Sequence, residues 1–376
     1  MNICRGASPR PIEKYITMQS NGINWIKIGD ISPKENVIKT TKEKITEEGA
    51  KHSRYVRKGD LILSNSMSFG RPYILEIDGC IHDGWLLIQD LEKLFDKKYL
   101  CYLLDSDTVK HQYRKYAAGG VVINLNSELV RSVSVFIPKV QEQEKIASFL
   151  TLIDKKIEKQ KELVELLKKY KRGLLSQIFS QKLRFKDENG NNYPDWEEKR
   201  LGDICTTFSG GTPSITHQEY YNGDIPFIKS GEIHSDKTEM FITDIGLKNS
   251  SAKLVKKGDL LFALYGATSG EVDISKINGA INQAILCVKS DTLNLNYLKE
   301  LLSYNKNQIL CKYLQGGQGN LSADIFKALK FKFPIKKEQD KISDFLINYD
   351  KITHIEEHLL NLYINYKQGL LQQLFI

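Results

Sequence analysis

The chain has 376 residues, of which 41% are hydrophobic and 27% charged, an ordinary globular composition with room for two domains that each bury a core. No apolar run approaches the ~18 residues of a membrane span, and MNICRGASPRP has no apolar core of a secretory signal, which excludes a spanning helix and a signal peptide. Six scattered cysteines (Cys4, Cys80, Cys101, Cys205, Cys287, Cys311) without a CxxC pair fit reduced cytoplasmic thiols, not a disulfide frame or a zinc site.

The formal net charge of +8 is uneven: residues 1–185 carry 32 Lys/Arg against 22 Asp/Glu, and residues 186–376 carry 22 against 24. The basic first half is compatible with a nucleic-acid partner, and the two halves present different electrostatic surfaces.

In chain order, the first globular stretch opens on Arg5-Gly6-Ala7-Ser8-Pro9 and continues with strand-like runs at Ile23–Ile28, Asp60–Leu63, Leu86–Ile88 and Ser132–Phe136. A helix is expected over Lys97–Asp105, continuing to Tyr116. Gly59, in Lys58-Gly59-Asp60, reads as a turn glycine supplying positive φ.

Next comes Gln141–Ser180, with apolar residues at Ile146, Leu150, Ile153, Ile157, Val164, Leu167, Leu174 and Ile178, and Gln160 and Tyr170 at the remaining seam positions. That near-3.5-residue step predicts a long coiled-coil helix beginning after Pro138. Forty residues at helical rise make a rod of roughly 60 Å. A polar, turn-rich connector, Lys186–Glu198, follows.

The second globular stretch repeats the first. Asn24-Trp25-Ile26-Lys27-Ile28-Gly29-Asp30-Ile31 returns as Pro226-Phe227-Ile228-Lys229-Ser230-Gly231-Glu232-Ile233, and Lys58-Gly59-Asp60-Leu61 returns as Lys257-Gly258-Asp259-Leu260. Gly119-Gly120 with Asn124-Leu125 returns as Gly316-Gly317 with Asn320-Leu321. Strands are expected at Leu260–Ala263 and Ala284–Val288, and a helix over Leu295–Tyr304 continuing to Leu314. The final stretch, Lys337–Ile376, repeats the long helix at a constant offset of 196, with 18 identities between Ile137–Phe179 and Phe333–Phe375. Its seam is Ile342, Leu346, Tyr349, Leu359, Tyr363, Leu370 and Leu374. A period near 200 is too long for a solenoid, so the chain reads as a duplicated domain-plus-helix unit whose two rods pack on each other. Two amphipathic helices, each lying on its own globular domain, are the alternative.

Catalytic motifs are missing. There is no phosphate-binding G-x-x-x-x-G-K-[ST], no dinucleotide G-x-G-x-x-G and no Asn/Asp-Pro-Pro-Tyr of an amino-methyltransferase. Pro194-Asp195 and Glu197-Glu198-Lys199 crowd into one turn, unlike the separated acids of a PD…ExK nuclease. His354 and His358 have i, i+4 spacing but no third ligand, and the connector lacks EF-hand spacing. No catalytic or metal residue is assigned.

Two phrases carry a resemblance. Pro138…Glu142-Gln143-Glu144-Lys145-Ile146-Ala147-Ser148-Phe149-Leu150…Asp154-Lys155-Lys156-Ile157, ending in Tyr170-Lys171-Arg172-Gly173-Leu174-Leu175…Phe179, resembles the conserved region of the specificity (S) subunit of type I restriction–modification enzymes. So does the connector, Leu183-Arg184-Phe185…Tyr193-Pro194…Trp196-Glu197…Leu201-Gly202-Asp203-Ile204; the counterpart expected before Arg5 is not in this sequence, so that either translation starts further upstream or the first unit is trimmed. The resemblance implies mixed α/β target recognition domains in tandem, at about 1–137 and 201–334. Between and after them it implies a central helix (138–182), a linker (183–200) and a distal helix (335–376), the two helices forming an antiparallel coiled coil in a pseudo-two-fold repeat. It implies a non-catalytic cytoplasmic subunit that reads a split site in double-stranded DNA and docks two methyltransferase subunits, with motor–nuclease subunits joining them. S-adenosylmethionine, ATP and Mg²⁺ would belong to those partners.

A methylation-only system, or a coiled-coil interaction scaffold without DNA contact, are the alternatives. The DNA-contact candidates are Lys27, Arg54, Ser64, Asn65, Ser66, Ser68, Arg71 and Arg114 in the first half, and Lys229, Tyr265, Thr268, Ser269, Gln318 and Asn320 in the second. No arginine follows Arg200, so the second reader lacks the commonest bidentate guanine contact. Subunit-interface candidates on the helices are Ile146, Phe149, Leu150, Ile153, Leu167, Tyr170, Ile342, Phe345, Leu346, Tyr349, Tyr363 and Tyr366.

Overall fold

The computed structural model describes residues 1–30, 36–65, 70–117, 125–313 and 320–375. They divide into two compact units, residues 1–162 with 357–376, and residues 163–356. Each unit therefore holds one globular stretch, the N-terminal part of one long helix and the C-terminal part of the other.

The first unit has two sheets. One runs in the order Asn2–Arg5, Trp85–Gln89, Leu61–Ser64, Pro72–Leu75, Val37–Ile38; the other runs Ile16–Thr17, Glu43–Ile45, Ile23–Ile26, Gly79–Ile81, Arg54–Val56. Leu61–Ser64 is buried at every position, as expected of a central strand between two covered faces. The second unit repeats the pattern. One sheet runs Thr206–Ser209, Ile285–Lys289, Leu260–Ala263, Val272–Ile274, and the other Phe241–Ile242, Tyr221–Ile228, Gly279–Ile281, Lys253–Val255. A further pair, Glu197–Arg200 with Lys330–Phe333, belongs to the second unit.

Two glycine positions show why the repeat is conserved at the backbone. Gly59 and Gly258 have φ of +88° and +98°, the left-handed turn expected of them. At Gly6 and Gly210 a Cβ would lie 2.1 Å from His82 O and 1.8 Å from Ile281 O, so only glycine lets those strand ends approach.

The long helices run Val140–Phe179 and Lys336–Leu374. The first ends where Gln181 takes a φ of +61° and Leu183 N–H folds back to Gln177 O at 3.0 Å, a left-handed C-terminal turn. In the first unit the two helices pair antiparallel: Lys367 bridges Asp154 at 2.5 Å, and Lys156 lies 5.5 Å from the Tyr363 ring centroid. The second unit makes the same ion pair with the roles exchanged, Lys171 to Asp350 at 2.7 Å. Every apolar seam position expected of the first helix is buried or half-buried. Tyr170 departs from the seam: it is exposed, although its ring centroid lies 6.0 Å from that of Tyr349.

Each unit ties a long helix to its globular part through a buried glutamine. Gln143 donates to Pro138 O at 2.9 Å and accepts from Asp96 N–H at 2.8 Å; Gln339 donates to Pro334 O at 2.9 Å and accepts from Asn294 N–H at 3.0 Å. Asp96 and Asn294 sit at the starts of helices Lys97–Asp105 and Leu295–Tyr313. The far end of the other long helix closes each globular part: Phe375 packs tilted against Tyr99 with ring centroids 5.3 Å apart, and Phe179 packs edge-on against Tyr297 at 5.8 Å.

Three local expectations change. The run at Ile23 stops being a strand at Ile26, and Ile28 opens a short turn. The helix from Lys97 breaks at Ser106, whose ψ of 154° and bond to Leu103 O at 2.7 Å compete with the helical ladder. Its counterpart carries Tyr304 there and stays unbroken. Ser132–Phe136 forms no strand, because among the described residues it has no ladder neighbour.

Candidate nucleic-acid and subunit interfaces

In each unit the second of the two sheets, the one holding Gly79–Ile81 or Gly279–Ile281, ends in a pair of cations. Ile26 and Arg54 both lie opposite Ile81, so Lys27, one residue on, and Arg54 share that end. In the second unit Ile228 and Lys253 lie opposite Ile281, which brings Lys229 beside Lys253. Lys253 is exposed, and the sequence reading missed it, although it stands four residues before Lys257 as Arg54 stands four before Lys58. Lys27 is partly spent on Glu43, 2.5 Å away. Arg54 is exposed and its Nε donates to Arg5 O at 2.6 Å.

Beside that end lies a hydroxyl–acceptor pair that sequence reasoning also missed. Ser8 Oγ donates to Asp83 Oδ1 at 2.8 Å, and Thr212 Oγ1 to Gln283 Oε1 at 2.5 Å. The frame around them is the same: Ala7 N–H to Ile81 O and Gly211 N–H to Ile281 O, both 3.2 Å. The charge is different. In the first unit Arg5 Nε donates to Asp83 O at 2.9 Å and Arg10 Nη2 lies 3.7 Å from Asp83 Oδ2, both guanidiniums exposed. Partial burial opposes ionisation of Asp83, but the Ser8 bond and the nearby His82 and Arg5 hold its carboxyl below the ordinary value. Gln283, exposed at the corresponding place, is neutral. The gapped offset, 204 at Ser8 and 200 at Asp83, hid this pair from a search for identical residues.

Several candidates are not surface groups. Ser64 is fully buried and accepts from Arg71 N–H at 3.0 Å; Asn65 is 4% exposed and donates to Asp83 O at 2.8 Å. Both are corrected from readers to frame residues that shape the end of the sheet. Arg71 is half-buried: its Nη2 donates to Asn36 Oδ1 at 2.9 Å and its guanidinium lies over Tyr73. Tyr265 packs on the core, Thr268 is half-buried, and Ser269 donates to Leu264 O at 3.1 Å. Arg114 and Asn320 are exposed. Ser66, Ser68 and Gln318 lie outside the described residues.

The helix candidates sort by burial. Leu150, Ile342 and Leu346 are buried inside their own units and are corrected from partner contacts to intrachain core. Ile146, Ile153, Leu167, Tyr349 and Tyr363 are half-buried along the seam, and Tyr349 O–H donates to Leu167 O at 2.9 Å. Phe149, Tyr170, Phe345 and Tyr366 are exposed, as are Leu166 and Leu362, which the seam pattern passed over. These six form repeat pairs at the 196-residue offset. Phe149, Leu362 and Tyr366 lie on the first unit, and Phe345, Leu166 and Tyr170 on the second. Among the described residues no helix is long and apolar enough to cross a membrane.

The model of the type I restriction modification DNA specificity domain matches residues 3–168 and again 193–362. The chain is 26% identical over 279 residues to the type I restriction enzyme MjaIX specificity subunit of Methanocaldococcus jannaschii, an alignment covering 70% of this chain and 64% of that protein. Its fold matches the S subunit of the type I restriction–modification system from M. genitalium, with a TM-score of 0.58, 16% identity and coverage of 100% of this chain and 96% of that one. It also matches a chain from a structure concerned with complex assembly and conformational transition of the type I R-M system, with a TM-score of 0.63, 16% identity and coverage of 99% and 96%. These matches do not favour the scaffold or methylation-only alternatives. Two copies of one recognition fold, each closed by a pair of long helices, stand on a single chain, which belongs to the type I restriction–modification DNA specificity family.

Proposed function

We propose that this chain is the DNA-recognition subunit of a type I restriction–modification complex, each unit reading one half of a split target. The carrying observation is a shared frame with unlike exposed groups: Ser8–Asp83 flanked by Arg5 and Arg10 in one unit, Thr212–Gln283 in the other. A two-part reader needs a common docking geometry and different edge chemistry at each half. Arg5, Arg10, Lys27 and Arg54 can hold phosphates or grip guanine through O6 and N7, while the Gln283 amide suits adenine. The second half-site then relies less on guanine than the first.

The long helices act as a spacer. Readers on one face of B-DNA sit about 34–36 Å apart, or a multiple of it, and helices of 40 and 39 residues supply a stiff rod of that order. The duplicated Phe149/Leu362/Tyr366 and Phe345/Leu166/Tyr170 sets support two equivalent docking faces, one per methyltransferase subunit. Motor–nuclease subunits join that assembly in the cytoplasm. S-adenosylmethionine, ATP and Mg²⁺ sit on the partners, and this chain performs no chemistry. Co-expression with the neighbouring methyltransferase, followed by mapping of N6-methyladenine, tests the reading. A bipartite methylated motif is expected. Methylation without a bipartite motif, or none that depends on this chain, refutes it.

A further inference from the structure

One turn of the first unit is built around an imidazole. His82 follows the strand Gly79–Ile81, and its side chain is 19% exposed. Ile28 N–H donates to its Nε2 at 3.1 Å and Gly84 N–H to its Nδ1 at 2.6 Å. The rings of Trp25 and Trp85 lie 6.2 and 6.4 Å from it, centroid to centroid. The glycine is part of the fit, because a Cβ at residue 84 would stand 2.1 Å from His82 Cε1.

The second unit keeps the turn without the ring. Asn282 N–H reaches Ile228 O at 3.4 Å and Ile285 N–H reaches Asn282 O at 3.2 Å, as His82 N–H reaches Ile26 O at 3.4 Å and Trp85 N–H reaches His82 O at 3.1 Å. Ala284 N–H donates to Asn282 Oδ1 at 3.2 Å. His82 with Gly84 thus answers to Asn282 with Ala284, a paired exchange in which the smaller side chain leaves room for a Cβ.

The ring holds the groups that form the first reader. Lys27 directly precedes Ile28. Asp83 stands between His82 and Gly84, with its carboxylate on Ser8 and its carbonyl on Arg5 and Asn65. A neutral imidazole has one lone pair and serves one backbone N–H at a time; an imidazolium has none and serves neither. The carboxylate oxygen within its reach is Asp83 Oδ1, 3.6 Å from Nδ1, which Ser8 already uses. Burial is the largest influence on the ring and brings its pKa below the ordinary 6.5; Asp83 and Asp30 oppose that shift and Lys27 adds to it. Arg5 and Arg10 touch Asp83 rather than the ring. The contacts are therefore whole at neutral pH and are lost as pH falls through the pKa of the ring. Asn282 has no proton to gain.

Resting on the function proposed above, we propose that His82 is a positioning residue of the first reader: its neutral ring holds the Lys27 and Asp83 turns in the DNA-reading form, and a gained proton releases them, so that mild acid frees the first half-site and not the second.

Affinity of the full chain with its methyltransferase is measured from about pH 7.5 to about pH 5.5, on a duplex carrying the mapped motif and on duplexes with either half-site scrambled. On the intact duplex about tenfold weaker binding is expected in acid. Scrambling one half-site should remove that loss, and scrambling the other should leave it. Compared with itself across the range, His82→Asn should lose the dependence, and Asn282→His with Ala284→Gly should confer it on the other half-site. The amides of Ile28 and Gly84, followed by NMR in the DNA-free chain, should shift with the His82 ring and stay still in His82→Asn. An acid loss that His82→Asn retains, binding that tightens in acid as for an imidazolium set against phosphates, or amides that ignore the ring each overturn the inference. A complex that binds no bipartite duplex sinks the function proposed above, and the amides still decide whether the ring holds the turn.

Discussion

Glu338 and Glu142 are the same residue of the repeat in opposite surroundings, and that contrast gives a quantitative test. Glu338 is fully buried, with its carboxylate held by Arg184 and Trp196. Arg184→Ala strands that carboxylate inside the second unit. Removing one partner of a buried ion pair costs about 3–5 kcal/mol, and the low end applies here because water still reaches the guanidinium. Arg184 is 21% exposed. For a unit of this size about 3 kcal/mol corresponds to a fall in melting temperature of ~6–12 °C. Glu142 is exposed, and Glu142→Ala should stay within ~0.5 kcal/mol, or ~1–2 °C. The double change Arg184→Met with Glu338→Leu should recover most of the loss, because a well-packed apolar pair often replaces a buried ion pair without cost. Differential scanning calorimetry of the four proteins measures all of this. Equal shifts for Arg184→Ala and Glu142→Ala would refute the assignment of Glu338 as a buried anchor and of Glu142 as its exposed counterpart.

Inserting one heptad after Glu162 and one after Glu356 keeps the seam in register and adds about 10 Å of rod. The methylated motif should gain up to about three base pairs of spacer at ~3.4 Å each, with both half-sites unchanged; an unaltered spacer defeats the ruler. Burial opposes ionisation of Glu300, yet Lys299 and Lys171 hold its pKa below the ordinary carboxylate value of 4.5. A depressed carboxyl stabilises above its unfolded pKa and loses that contribution as pH falls through the folded one. The second unit should therefore lose stability below pH 4.5, and Glu300→Gln should flatten that limb of a pH–melting curve. Gln143→Leu leaves Asp96 N–H and two carbonyls without their buried partner, at about 1–3 kcal/mol. Urea unfolding should register this, and no change would remove the glutamine clamp from the account.

The long helices were legible because an apolar residue every 3.5 positions has one cheap solution, and the duplication doubled the signal. Gly59 and Gly258 were legible because positive φ selects glycine. The break at Ser106 was not: a serine is tolerated in many helices, and its bond to Leu103 O is decided by local backbone competition. Ser132–Phe136 has strand composition, but strand formation needs a neighbour, which no single segment reveals. The site was harder still. Ser64 and Asn65 look like surface loop polars, and only packing shows them buried. Asp83 and Gln283 differ in type, so their equivalence emerges from the shared bonds to Ser8 and Thr212 rather than from matching letters.

The buried glutamines have an evolutionary corollary. Gln143 and Gln339 hold the globular parts through main-chain atoms alone, those of Asp96, Leu94 and Pro138 in one case and Asn294 and Pro334 in the other. At these two joints an insert needs only to deliver a helix start to the same place, although side-chain ties such as Tyr99 to Phe375 and Glu300 to Lys171 must be met as well. Recombination can then exchange a whole reading module at these joints and create a new target in one step, while the rods and the surfaces they offer to other subunits stay as they were.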